Sequence, residues 1–153
     1  MKLAEALILR ADIRKRMAQW TDRARTSVTV QEGEQPTEAP ATLFTEWNTM
    51  TDEFTTLSVR INRSNVHTAL ADGTTLMEAI AQRDALTLRS NGLATAISLA
   101  TSAQPRHGRA EIKTIATIDV AAVRREMADL ARQRRELDVQ IQAANWATEM
   151  EES

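Results

Sequence analysis

The sequence contains no cysteine, which excludes disulfides, thiolate nucleophiles and sulfur-ligated metals, and with them the staples that a small secreted fold normally needs. Only 3% of its 153 residues are aromatic, so the core has to be built from Leu, Ile, Val, Met and Ala, the residues that pack along helices. That disfavours an all-β architecture. Glycines stand apart at positions 33, 73, 92 and 108, and no phosphate-cradling loop, dinucleotide fingerprint or nucleophile elbow can be read from them. Lys2, Glu5, Arg10, Asp12, Arg14, Lys15 and Arg16 break the apolar opening of the chain too densely for a signal-peptide core or a membrane span. A cytoplasmic protein with no membrane partner is expected. The formal net charge of -2 supplies no global attraction to nucleic acid or to anionic lipid.

What the sequence does have is helical periodicity. From Lys2 to Arg25, Leu3, Ala6, Leu9, Ile13, Met17, Trp20 and Ala24 recur at helical spacing, with no Gly or Pro between them. Val28, Thr29 and Val30 form a short β-branched alternation that reads as a strand over 28–31, and a turn-rich stretch follows. Pro40 suits a first helical position, and Leu43, Trp47, Met50, Phe54, Leu57 and Ile61 alternate steps of four and three, so a second helix runs to about Asn65. Asp72-Gly73 marks a turn. Thr75 with Glu78 has the form of a capping box and opens a third helix through Leu76, Ile80, Leu86, Leu93 and Ile97. Asn91-Gly92 inside it predicts a kink or an early end, since Gly costs about 1 kcal/mol relative to Ala in a helix. Residues 111–118 alternate like a second strand. Asp119 then caps a final helix whose seam is Val123, Met127, Leu130, Arg134, Leu137 and Ile141.

The expected fold is therefore mainly α: a bundle of four long helices, with a small two-stranded β element at one end that pairs 28–31 with 111–117. A single helical domain would span 1–147, followed by an acidic C-terminal tail over 148–153. The segments LAEALILRADIRKRM, VQEGEQP, RINRSN, DGTTLMEAIAQRDAL and EIKTIATIDVAAVRREMADLARQRRELDVQIQAANW resemble a family of uncharacterised bacterial helical proteins, some of whose members are catalogued as septicolysin. That resemblance implies a helical fold with a small β element and self-association, and it carries over no catalytic residues. The lytic activity suggested by the name does not suit this chain, which has neither the cysteine of a thiol-activated pore former nor strands long enough for a membrane barrel.

No catalytic residue, metal ligand or cofactor is nominated. His67 and His107 lack ligand spacing and read as surface or loop groups. Arg124, Arg125, Arg132, Arg134 and Arg135 would make a basic helix, but Asp129, Glu136 and Asp138 follow three of them at helical spacing, so a solvated ion-pair face outweighs nucleic-acid binding. The least ordinary polar chemistry is Arg60, Asn62, Arg63 and Asn65 at the end of the second helix, with Arg83 and Asp84 in the third. A helix-end polar network outweighs a small-anion or metabolite pocket there. Leu3, Leu7, Ile8 and Leu9 spread round the first helix more widely than one groove can cover, which points to a homo-oligomeric interaction or scaffold protein with these residues at the subunit interface.

Overall fold

The first helix, Leu3–Arg25 (α1), starts where the Glu5 carboxylate accepts the Lys2 backbone N–H at 2.8 Å, placing negative charge at the positive end of the helix dipole. This is a computed structural model, which describes residues 1–102 and 115–150. Three further helices follow: Pro40–His67 (α2), Leu76–Thr101 (α3) and Val120–Ala147 (α4). Pro40 opens α2 at a position where its missing N–H costs nothing. Thr75 and Glu78 form the expected capping box, with the Thr75 N–H donating to Glu78 at 2.9 Å and the Glu78 N–H to the Thr75 hydroxyl at 3.2 Å. The Asp119 carboxylate accepts the Ala122 N–H at 3.0 Å and caps α4.

The chain divides into two compact units. One comprises Met1–Ala69 together with the chain from Ala143 on, and the other is Leu70–Gln142. In the first, α1 and α2 pack as an antiparallel hairpin: Arg23 reaches Glu46, Trp20 reaches Leu43 and Arg16 reaches Glu53. Ile13 and Ala24 are buried on α1, and Leu43, Met50, Leu57 and Ile61 on α2, as the seam spacing requires. Trp20 donates its indole N–H to the Leu43 carbonyl at 2.8 Å while its ring lies 4.6 Å from that of Trp47, so one side chain supplies both apolar contact and a satisfied polar atom. Along α2, Thr45 and Thr49 donate back to the carbonyls of Ala41 and Thr45, and Thr51 and Thr55 to those of Trp47 and Thr51.

Arg23 closes the far end of this hairpin. Its guanidinium grips both Glu38 oxygens, at 2.9 and 2.6 Å, and lies 2.9 and 2.8 Å from the two oxygens of Glu46. The fork geometry of arginine thus ties the end of the 26–39 connection and the first turns of α2 to the last turn of α1. Hydrogen bonding to Arg23 holds the Glu38 carboxyl below its ordinary value. At the opposite end the chain returns on itself. Leu3 N–H donates to the Thr148 carbonyl and Met150 N–H to the Met1 carbonyl, both at 3.0 Å, making an antiparallel bridge between Lys2 and Glu149. Lys2 reinforces it through Glu149 at 2.8 Å.

Two expectations are corrected. The described residues contain no two-stranded element, because Val28 N–H donates back to the Ala24 carbonyl as an extension of the α1 terminus and Val28 and Val30 remain exposed. Residues 111–114 of the proposed partner segment lie outside the described residues, and 115–117 form no strand. An antiparallel β-bridge pairs Lys2 with Glu149 instead. Nor does α3 end at Asn91-Gly92. It continues to Thr101, since the penalty of one glycine is small against the hydrogen-bond ladder on either side. Gly73, by contrast, does need its freedom: at φ +87 it completes the turn in which the Asp72 carboxylate accepts the Thr74 N–H at 2.9 Å. Among the described residues, no helix is long and apolar enough to cross a membrane.

Two stability tests follow from the hairpin. Ile61 is 1% exposed, and Ile61→Ala should cost about 2–5 kcal/mol in denaturant unfolding, whereas a value below 1 kcal/mol would mean that the seam repacks. For Glu38 the sign is that of a lowered carboxylate: its contribution is fully present above the ordinary value of 4.5 and is lost as pH falls through the lower folded value. Thermal melting should therefore separate wild type from Glu38→Gln at neutral pH, and the gap should close on acidification. A gap independent of pH would sink the assignment.

Candidate functional site

The last two turns of α2 place Arg60, Arg63, Ser64 and His67 at spacings of three and four, on one side of the helix. That side lines a cavity of about 170 Å³ whose remaining walls are Thr68, Thr148 and Glu149. All of these residues belong to the first unit. The wall from Thr148 and Glu149 is in place because the bridge with Lys2 holds the chain after α4 against the start of α1. Lys2 and the amino group of Met1 engage the Glu149 carboxylate at 2.8 and 3.4 Å. Hydrogen bonds, first from Lys2 and then from that amino group, lower its pKa below the usual glutamate value. Arg63 and His67 make no side-chain hydrogen bond or ion pair within the described residues, and both are exposed.

The polar residues singled out from sequence divide between several places. Arg60 and Arg63 meet at the cavity. Asn62 is exposed and Asn65 half-buried, and neither lines it. Arg83 and Asp84 lie in the other unit, where Arg83 pairs with Asp84 at 2.8 Å and with Asp138 of α4 at 3.7 Å. His67, Ser64, Thr68, Thr148 and Glu149 were not nominated. His67 falls one helical turn after Arg63 and could have been found by carrying the helix two residues further, while Thr148 and Glu149 depend on a return of the chain that no local pattern announces.

The apolar candidates also divide. Leu3 is fully buried within the chain, Leu7 is half-buried, and Ile8 and Leu9 are 55% and 43% exposed. Leu9 borders a shallow groove on the α1–α2 hairpin, about 490 Å³, with Ile13 and Leu57 at its floor and Asp52 and Glu53 on its rim. On α4, Arg132 pairs with Glu136 at 3.1 Å and with Asp129 at 3.6 Å, and Arg134 lies 4.0 Å from Asp138. Carboxylates thus answer two of the helix's arginines.

The chain is similar over its length to a solved structure described as a functionally unknown conserved protein from Corynebacterium diphtheriae. The two share 38% sequence identity and a TM-score of 0.89, with 99% of each chain covered. Among curated proteins nothing matches. Residues 10–150 match the family of unknown function DUF6847, and because this match takes in most of the sequence, the chain belongs to that family.

Proposed function

We propose that this is a non-enzymatic, self-associating helical interaction protein of the cytoplasm, in which a second copy covers α3. The observation that carries the reading is the two-sided character of that helix. One side presents Leu76, Ala79, Leu86, Leu93 and Ile97, of which Leu76 and Ala79 are fully buried and the other three half-buried. The opposite side presents Met77, Ala81, Leu88, Thr95 and Leu99, and it is exposed throughout, Leu88 at 72% and Leu99 at 69%. A helix apolar on both sides is ordinarily buried on both.

A second copy fits this stripe better than a charged partner does. From Ala81 to Leu99 its one charged member is Asp84, already held by Arg83, so two stripes can face each other without like charges meeting uncompensated. Ala81 and Gly92 on the same side let backbones approach closely, and a Cβ added at Gly92 meets nothing within 4 Å. Nucleic acid is the weaker partner, since acidic neighbours engage Arg132 and Arg134. The absence of cysteine suits a reducing compartment. The septicolysin name adds nothing to this reading.

Light scattering on the purified chain at micromolar concentration should return a multiple of 17.0 kDa. Leu88→Glu and Leu99→Glu should each shift it toward the single-chain mass with helical circular dichroism retained, and Ile8→Glu reports whether the α1 patch contributes. A wild-type protein that runs at 17.0 kDa rules the proposal out.

A further inference from the structure

We propose that the cavity at the C-terminal end of α2 binds a small hydroxylated phosphomonoester, its phosphate taken by Arg60, Arg63 and His67 and its hydroxyl end by Glu149. The charge balance comes first. A helix C-terminus carries about half a negative charge, and Glu149 adds one more that Lys2 offsets at 2.8 Å. Against this the cavity wall sets the full guanidinium charge of Arg63, which exceeds the half charge of the helix end.

Donor chemistry narrows the class. Guanidinium forks and hydroxyl donors suit tetrahedral phosphate oxygens, and the cavity offers both, with Ser64, Thr68 and Thr148 among its walls. Arg63 and His67 have no side-chain partner to give up among the described residues, so a ligand there displaces no internal ion pair of theirs. Glu149 is the informative exception. A carboxylate repels a phosphate but accepts from an alcohol, so its presence in the lining, on a segment other than α2, suits a ligand that also carries a hydroxyl. The volume of about 170 Å³ sets the size, being well below the roughly 300 Å³ at which pockets begin to hold drug-sized molecules. This site is independent of the α3 stripe, and a protein that proves monomeric leaves it standing.

The test is calorimetric titration and thermal shift of the full chain in phosphate-free buffer, at constant ionic strength, with glycerol 3-phosphate, inorganic phosphate and succinate as probes. Glycerol 3-phosphate should bind saturably and raise the melting temperature as its concentration passes Kd, with inorganic phosphate weaker and succinate inert. Arg63→Ala should weaken binding at least tenfold, His67→Ala severalfold, and Arg63→Lys should recover part of the loss. Asn62→Ala, on the same helix but outside the cavity, should change nothing. Arg63 and His67 are exposed, so their variants should melt like wild type without ligand, which separates lost binding from lost folding. Absence of saturable binding, an equal response to succinate, or a response that Arg63→Ala leaves intact overturns the proposal. Saturation by inorganic phosphate alone overturns the ester assignment.

Discussion

Within the first unit, the antiparallel seam between α1 and α2 fixes where every other group can lie. Ile13, Leu43, Met50, Leu57 and Ile61 are buried along the hairpin, and their spacing sets the rotation of each helix about its own axis. Once α2 is rotated so that Leu57 and Ile61 are buried, Arg60, Arg63 and His67 share another side. The cavity is thus a by-product of core registry. Arg23 guards that registry at the distal end, because its fork meets Glu38 and Glu46 together only when the last turn of α1 faces the first turns of α2. Trp20 repeats the constraint one turn earlier with a directed bond to Leu43.

The second unit obeys a different balance. Its turn and both helix starts are specified by local polar chemistry: Asp72 to Thr74, Thr75 with Glu78, and Asp119 to Ala122. Beyond Ala79, however, no side chain of α3 is fully buried. Local signals say where this helix begins, while burial within the chain says little about what it packs against. A helix so placed depends for its apolar area on something outside its own chain, or leaves that area in water at a cost of roughly 25 cal/mol per Å².

The four helices were legible because their start signals and periodicities agree. Lys2–Arg25, Pro40 onward, the Thr75–Glu78 box and the Asp119 cap all lie within two residues of the observed boundaries. What misled was β-branching: Val28-Thr29-Val30 has strand composition but sits at the frayed end of α1, where backbone N–H groups still reach back to helix carbonyls. The bridge between Lys2 and Glu149 has no such composition and joins positions far apart in sequence. The same distance hid half of the cavity. Arg60 and Arg63 stand out by type and spacing, but Glu149 becomes their neighbour only through the path of the folded chain. Within the Arg60–Asn65 cluster, successive residues of a helix point in different directions, so Asn62 and Asn65 lie off the wall that Arg60 and Arg63 share.

The threonines of α2 bear on the order in which the hairpin assembles. Threonine is a poor helix former because its branched side chain loses rotamer freedom, and in α2 its hydroxyls bond back to the preceding turn's carbonyls at positions 45, 49, 51 and 55, a bond that slightly weakens and bends helices. The α1 segment, rich in Ala, Leu and Arg, carries no such handicap. By intrinsic propensity α1 is the better helix former of the two, so α2 depends more on the contacts of the hairpin for its helicity than α1 does. Trp20 and Leu43 are separated by a short enough stretch of chain for loop closure to be inexpensive, so the contact that joins the weaker helix former to the stronger one carries little entropic penalty.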